Sequence, residues 1–131
     1  MSRSAIYTAN TNTNSVTDGN SIPLGNIIRR FGCNLDLNGT EILLKGTGYY
    51  DVDTNISFTG TATGSTTITI YKDGVAVPGA TVTRVTAADT TYQESIPALV
   101  RNTCCRESTL SLVVTGTTVN VTNVGVVVER E

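Results

Sequence analysis

The chain has 131 residues, a formal net charge of −2 from nine Lys and Arg against eleven Asp and Glu, and no His. That length holds one domain with a modest core, and the scattered cations leave no footprint for a nucleic acid. With only 15% charged residues and polar positions filled by Thr, Ser, Asn and Gly, the composition favours strands and turns over solvated helices and fits a protein that self-associates.

Residues 4–8 read as a short first strand. The following TANTNTNSVTDGNS (8–21) is polar and without period, so it is expected to be a connection: a loop, an anchor or a swapped strand. Residues 27–31 are read as extended, because Gly25 and Gly32 bracket them too closely for a helix. The Asn38-Gly39 turn opens a strand at 41–45, which Gly46 closes. Residues 49–58 alternate cleanly: Val52, Thr54, Ile56 and Phe58 make one row, and Tyr49, Asp51, Asp53, Asn55 and Ser57 the other. One row packs and the other meets water or a partner.

Strand 66–72 sets Ile68 and Ile70 against Thr67, Thr69 and Tyr71, and Asp73-Gly74 then supplies a tight hairpin with a short return arm at 75–77. Further strands are expected at 80–86, 91–96, 109–115, 117–122 and 125–130. The total is about ten short strands, at the spacing of an all-β sandwich or barrel. In the last third, Leu110, Leu112 and Val114, then Val119 and Val121, then Val124, Val126 and Val128 form core rows. Val113 and Val127 fall on the opposite rows, where they are candidates for a subunit interface.

Chemistry is sparse. Without His, the usual general base and the commonest metal ligand are missing. Asp51 and Asp53 lie on one strand face about 7 Å apart, a spacing that paired carboxylates use in glycoside hydrolysis, but no pocket or oxyanion signature accompanies them. The same two, with Asp36 and Asp73, are hard oxygen donors that suit calcium. Cys33, Cys104 and Cys105 cannot all pair within one chain; free thiols, a bridge from Cys33 to one of the other two, and an interchain bridge all stay open. Tyr7, Tyr71 and Tyr92 are candidates for stacking on sugar rings, in a chain that has no Trp.

The run FGCNLDLNGTEILLKGTGYYDVDTNISFTGTATGSTTITIYKDGVAVPGA, with LSLVVTG near residue 110 and VVVE at the end, resembles the C-terminal globular domain of the collagen-like glycoprotein of bacterial exosporium. Through it the chain resembles the wider jelly-roll family of tumour necrosis factor and the complement globular head. The likeness spans roughly residues 31–131 and lies in the order of motifs. It implies a two-sheet jelly roll that assembles as a homotrimer, with the strand of Gly48, Tyr49, Tyr50 and Val52 near the threefold axis. Relatives that bind calcium at the trimer apex imply the same for Asp51 and Asp53. The chain has no Gly-X-Y repeat and so no triple-helical stalk.

Stand-alone domains of this kind suit phage head fibres, decoration proteins and tail appendages. The N-terminus lacks the apolar segment of a secretory signal, and no run approaches the ~20 apolar residues that span a bilayer. The expectation is therefore a non-enzymatic virion protein made in the host cytoplasm, with other virion proteins as partners. The rival expectation is a receptor- or glycan-binding adhesion module on a virion, spore or bacterial surface, which would bind a host-surface glycan or protein.

Overall fold

The computed structural model describes residues 4–103 and 107–130. Among the described residues there are twelve strands: β1 (Ala5–Asn10), β2 (Asn14–Val16), β3 (Asn20–Ser21), β4 (Asn26–Phe31), β5 (Leu35–Asn38), β6 (Glu41–Leu44), β7 (Gly48–Gly60), β8 (Gly64–Lys72), β9 (Val75–Thr86), β10 (Thr91–Asn102), β11 (Ser108–Thr115) and β12 (Val119–Arg130). They form two six-stranded antiparallel sheets, ordered β10-β7-β12-β1-β4 and β5-β6-β11-β8-β9, with β2 added beside β12 and β3 beside β11. Successive strands cross repeatedly between the sheets, which gives a two-sheet jelly-roll sandwich as the resemblance implies.

Burial follows the period-two rows. On β7 every even residue from Tyr50 to Gly60 is buried, while Tyr49, Asp51, Asp53 and Asn55 are exposed. The core is filled from both sheets by Ile6, Tyr50, Phe58, Ile68, Leu112 and Val128 among others, and Ile22 and Leu24 seal it where the chain passes from β3 to β4. The accessible surface is 6654 Å², close to the roughly 6,600 Å² of a folded monomer of this mass. The protomer therefore closes its own core.

Several boundaries differ from the sequence expectation, each for a local reason. The polar stretch 8–21 contains β2 and β3, because its backbone finds partners on β12 and β11 even though its side chains bury little. Leu35–Asn38 is a strand too, so Asn38-Gly39 is the tip of a β5–β6 hairpin. The arms expected at 75–77 and 80–86 are one strand, β9, whose register with β8 shifts between Thr69 and Tyr71 near Pro78 and Gly79. Likewise 117–122 and 125–130 merge into β12.

A bulge between Val121 and Asn123 on β12 explains a parity change visible in the sequence. Val119 and Val121 are buried, and so are Val124, Val126 and Val128. The extra residue at the bulge brings both odd and even valines onto the inner face.

Candidate interaction surface

The first sheet presents its outer face as an ordered lattice. Cross-strand partners place Pro97, Asp53, Val127, Tyr7 and Arg29 in one line across the sheet, and Leu99, Asp51, Glu129, Ala5 and Phe31 in the next. Exposed large apolar side chains gather here: Tyr7 at 39%, Tyr49 at 51%, Leu99 at 59% and Phe31 at 60%. Tyr7, Phe31, Ala5 and Val127, with Ile6 and Arg29, wall a recess of about 190 Å³. β4 at this edge is exposed along all six residues. A β-strand edge with apolar side chains on view is a ready template for pairing with another chain.

Among the described residues, Arg29, Asp51, Asp53 and Glu129 form no ion pair; the salt bridges lie elsewhere, at Arg30–Asp36, Lys45–Asp36, Lys72–Asp73 and Arg84–Glu94. Arg101 stands over the Tyr49 ring at 5.8 Å. Toward the other end the face turns polar, where Asn55, Ser57, Gln93, Ser95 and Asn123 line a recess of about 400 Å³. There the Ser95 hydroxyl donates to Asn55 Oδ1 at 2.7 Å.

The residues singled out from sequence divide among three environments. Tyr49 and Val127 stand on the outer face of the first sheet. Tyr50 and Val52, expected at the subunit interface, are instead part of the core, because they occupy the inward row of β7. Val113 is half-buried on the outer side of the second sheet, beside Ser21 of β3 and on the opposite face of the sandwich from Val127. Of the apolar recess, Tyr7 and Val127 were singled out from the sequence, whereas Ala5, Arg29 and Phe31 were missed, as was Leu99. Leu99 lies beyond the strand expected at 91–96, which runs on as β10 to Asn102, an edge strand that tolerates Pro97.

Asp51 and Asp53 are exposed neighbours on β7, whereas Asp36 and Asp73 belong to the second sheet and its hairpin, so the four donors considered for calcium do not converge. Among the described residues no cluster of three or more acidic, His or Cys side chains is arranged for a metal ion. Asp36 has its carboxyl held below the usual range by the Leu37 N–H, assisted by Arg30 and Lys45 and opposed by desolvation. For Asp73, burial raises the pKa, but hydrogen bonds from Thr109 N–H, Ser108 and Lys72 outweigh it and leave the value lowered.

Tyr7, Tyr71 and Tyr92 are spread over three places: the outer face of the first sheet, the second sheet, and the sandwich side, where Tyr92 packs on Phe58 at 5.6 Å. They form no common platform. Cys33 is a free, exposed thiol; the pairing considered for it with Cys104 or Cys105 lies outside the described residues. No helix among the described residues is long and apolar enough to cross a membrane.

No protein-family model matches the chain, and no curated protein matches it by sequence. Solved structures do resemble it. Murine APRIL superposes with a TM-score of 0.74 at 11% identity, covering 99% of this chain and 100% of that one. The globular domain of zebrafish complement 1qA gives 0.71 at 9% identity, covering 97% and 98%. PRD1 vertex protein P5 gives 0.62 at 13% identity, covering 97% and 96%. At these identities the likeness is one of fold: a jelly roll like that of tumour necrosis factor and the complement globular head.

Proposed function

We propose that this protein is a non-enzymatic structural component of a bacteriophage particle, acting as a homotrimer that decorates the capsid or ends a fibre or tail appendage. The observation that carries the reading is the outer face of the first sheet. A protomer with a complete core nevertheless exposes Tyr7, Phe31, Tyr49 and Leu99 on one side of one sheet, an arrangement that suits burial against further copies. That one of the similar folds is a vertex protein supports a place on a particle. Three copies held rigidly would convert weak contacts to other virion proteins into avid attachment.

A second reading, recognition of a host-surface glycan or protein, is favoured by the polar recess of Asn55, Ser57, Gln93, Ser95 and Asn123. Its amides and hydroxyls match the hydrogen-bonding groups of a saccharide.

Light scattering on the size-exclusion peak tests the trimer. The expected mass is three times the 13.8 kDa protomer, unchanged by reductant, and a monomer at micromolar concentration overturns it. Incubation with purified particles and with intact host cells then separates the two readings. Retention on particles supports the structural role, and saturable binding to cells, abolished by Asn55→Ala with Gln93→Ala, supports the second.

A further inference from the structure

The β5–β6 hairpin carries a reactive pair at its tip. Asn38 and Glu41 are register partners, so Gly39 and Thr40 alone make the turn. Gly39 sits at φ +62°, with open space where a Cβ would stand, and among the described residues its N–H enters no backbone hydrogen bond. Asn38 is exposed, and its side-chain amide has no hydrogen-bond partner among the described residues. This is the only Asn-Gly pair in the sequence, every other Asn being followed by a residue with a Cβ. The two that precede Ser are also held: Asn14 Oδ1 accepts from Asn10 Nδ2 at 2.9 Å, and Asn20 Nδ2 donates to Thr17 Oγ1.

We propose that Asn38 is a site of self-modification, converted to aspartate and isoaspartate in the folded protein, independently of any assembly. The Gly39 amide nitrogen attacks Asn38 Cγ. A new N–Cγ bond forms as the Gly39 proton is lost, and the Cγ–Nδ2 bond breaks to release ammonia, leaving a five-membered succinimide. Water then opens the ring at either carbonyl. Opening at Cγ restores the main chain with Asp at position 38, whereas opening at the main-chain carbonyl leaves the chain running through Cβ and Cγ. Water is the only co-reactant. The step suits glycine because a nitrogen without a neighbouring Cβ reaches the side-chain carbon through dihedrals that other residues adopt only with strain.

The position makes the change consequential. Either product sets a carboxylate opposite Glu41 and on the same strand face as Asp36, and like charges directly across a strand pair are destabilising. Isoaspartate also adds a main-chain carbon beside a two-residue turn, whose geometry sets the register of the hairpin. β5 is the edge of the second sheet and pairs only with β6 among the described residues. It carries Leu35 into the core and holds Asp36, which meets Arg30 Nη1 at 2.8 Å and Lys45 Nζ at 3.5 Å. Conversion at Asn38 therefore acts as an irreversible timer that slackens one edge of the sandwich and exposes β6 as a new strand edge.

Ageing the folded chain in mildly alkaline buffer, with peptide mapping by mass spectrometry, tests the site. The peptide that contains Asn38 is expected to gain the mass difference between an amide and an acid and to split into two chromatographic forms. One of them should accept a methyl group from S-adenosylmethionine in the presence of a protein-isoaspartate methyltransferase. Asn14 and Asn20 should stay amides over the same period. Gly39→Ala is expected to abolish the conversion, and Asn38→Gln, which keeps the turn glycine, does the same if the alanine variant fails to fold. An Asn38 that stays intact in the folded chain while it converts in urea, or an Asn14 or Asn20 that converts first, overturns the proposal. Hydrogen exchange then reads the consequence: the amides of β5 should exchange faster in the aged parent than in Asn38→Gln aged alongside it, and equal exchange would overturn the loosening of the edge.

Discussion

Two hydroxyls on the inner row of β7 have opposite fates. Tyr50 is fully buried, yet its hydroxyl donates to the Gly46 carbonyl at 2.7 Å and accepts the Gly46 N–H at 3.2 Å. Thr54, four residues on, is as deeply buried, and its Oγ1 has no partner. A satisfied buried hydroxyl is costly to lose, whereas an unsatisfied one carries a desolvation cost that an apolar isostere removes. Tyr50→Phe is therefore expected to lose about 1–2 kcal/mol, and Thr54→Val to be neutral or to gain up to about 1 kcal/mol, both read from urea midpoints. Equal losses for the two would show that burial alone governs this row.

Asp36 ties stability to pH through a lowered pKa, caused first by the Leu37 N–H and then by Arg30 and Lys45. Because the folded carboxyl releases its proton more readily than the unfolded one, its contribution is complete above the ordinary value of 3.8 and fades as pH falls through the lower folded value. Asp73 acts in the same direction. Asp36→Asn should thus shrink the difference in urea midpoint between neutral and acidic solution, with little change in the acid limb itself. An unchanged difference would remove Asp36 from the linkage.

At the scale of elements, the decisive features are turns, bulges and edges. Gly116 follows β11 at φ +104°, and a Cβ there would collide with the Ser65 carbonyl oxygen. Neither the dihedral nor the space admits a side chain, because the neighbour is rigid backbone. Gly116→Ala is expected to cost roughly 2–4 kcal/mol from backbone strain and overpacking together, lowering the melting temperature; a wild-type melt would mean that the β11–β12 connection relaxes freely. The edges are treated differently on the two sides of the sandwich. Where β9 and β10 run side by side, Arg84 reaches across, its Nη1 3.2 Å from Glu94 Oε2 and its guanidinium 5.0 Å from the Tyr92 ring centre. That oxygen, although buried, has no aligned hydrogen bond, so the tie is ionic and stacking in character. At the opposite margin β4 stays uncovered, with Ile27, Ile28 and Phe31 exposed.

For the whole molecule, a face that assembles must register in the thermodynamics. If copies bury the outer face of the first sheet, unfolding is coupled to dissociation, and the melting temperature rises with protein concentration. A rise of several degrees over a hundredfold concentration range is expected for the parent chain, and Leu99→Arg should abolish it while leaving the monomer folded, since Leu99 lies outside the core. A melting temperature independent of concentration in the parent chain would exclude such coupling.

The sequence by itself determined the all-β class, most strand positions and which residues turn inward, because alternation with period two is a local property that any strand pair preserves. Residues 49–58 and the closing valines were legible for this reason, and so was the Asp73-Gly74 hairpin. Only the tertiary structure decided what depends on partners distant in the chain. β2 and β3 are strands through backbone pairing rather than side-chain burial. Tyr7, Phe31, Leu99 and Val127, up to 120 residues apart in the chain, share one face because antiparallel pairing of β1 with β12 and of β10 with β7 sets their heights. Register is fixed by packing of the inner rows, and the outer face inherits an order that no local stretch of sequence contains.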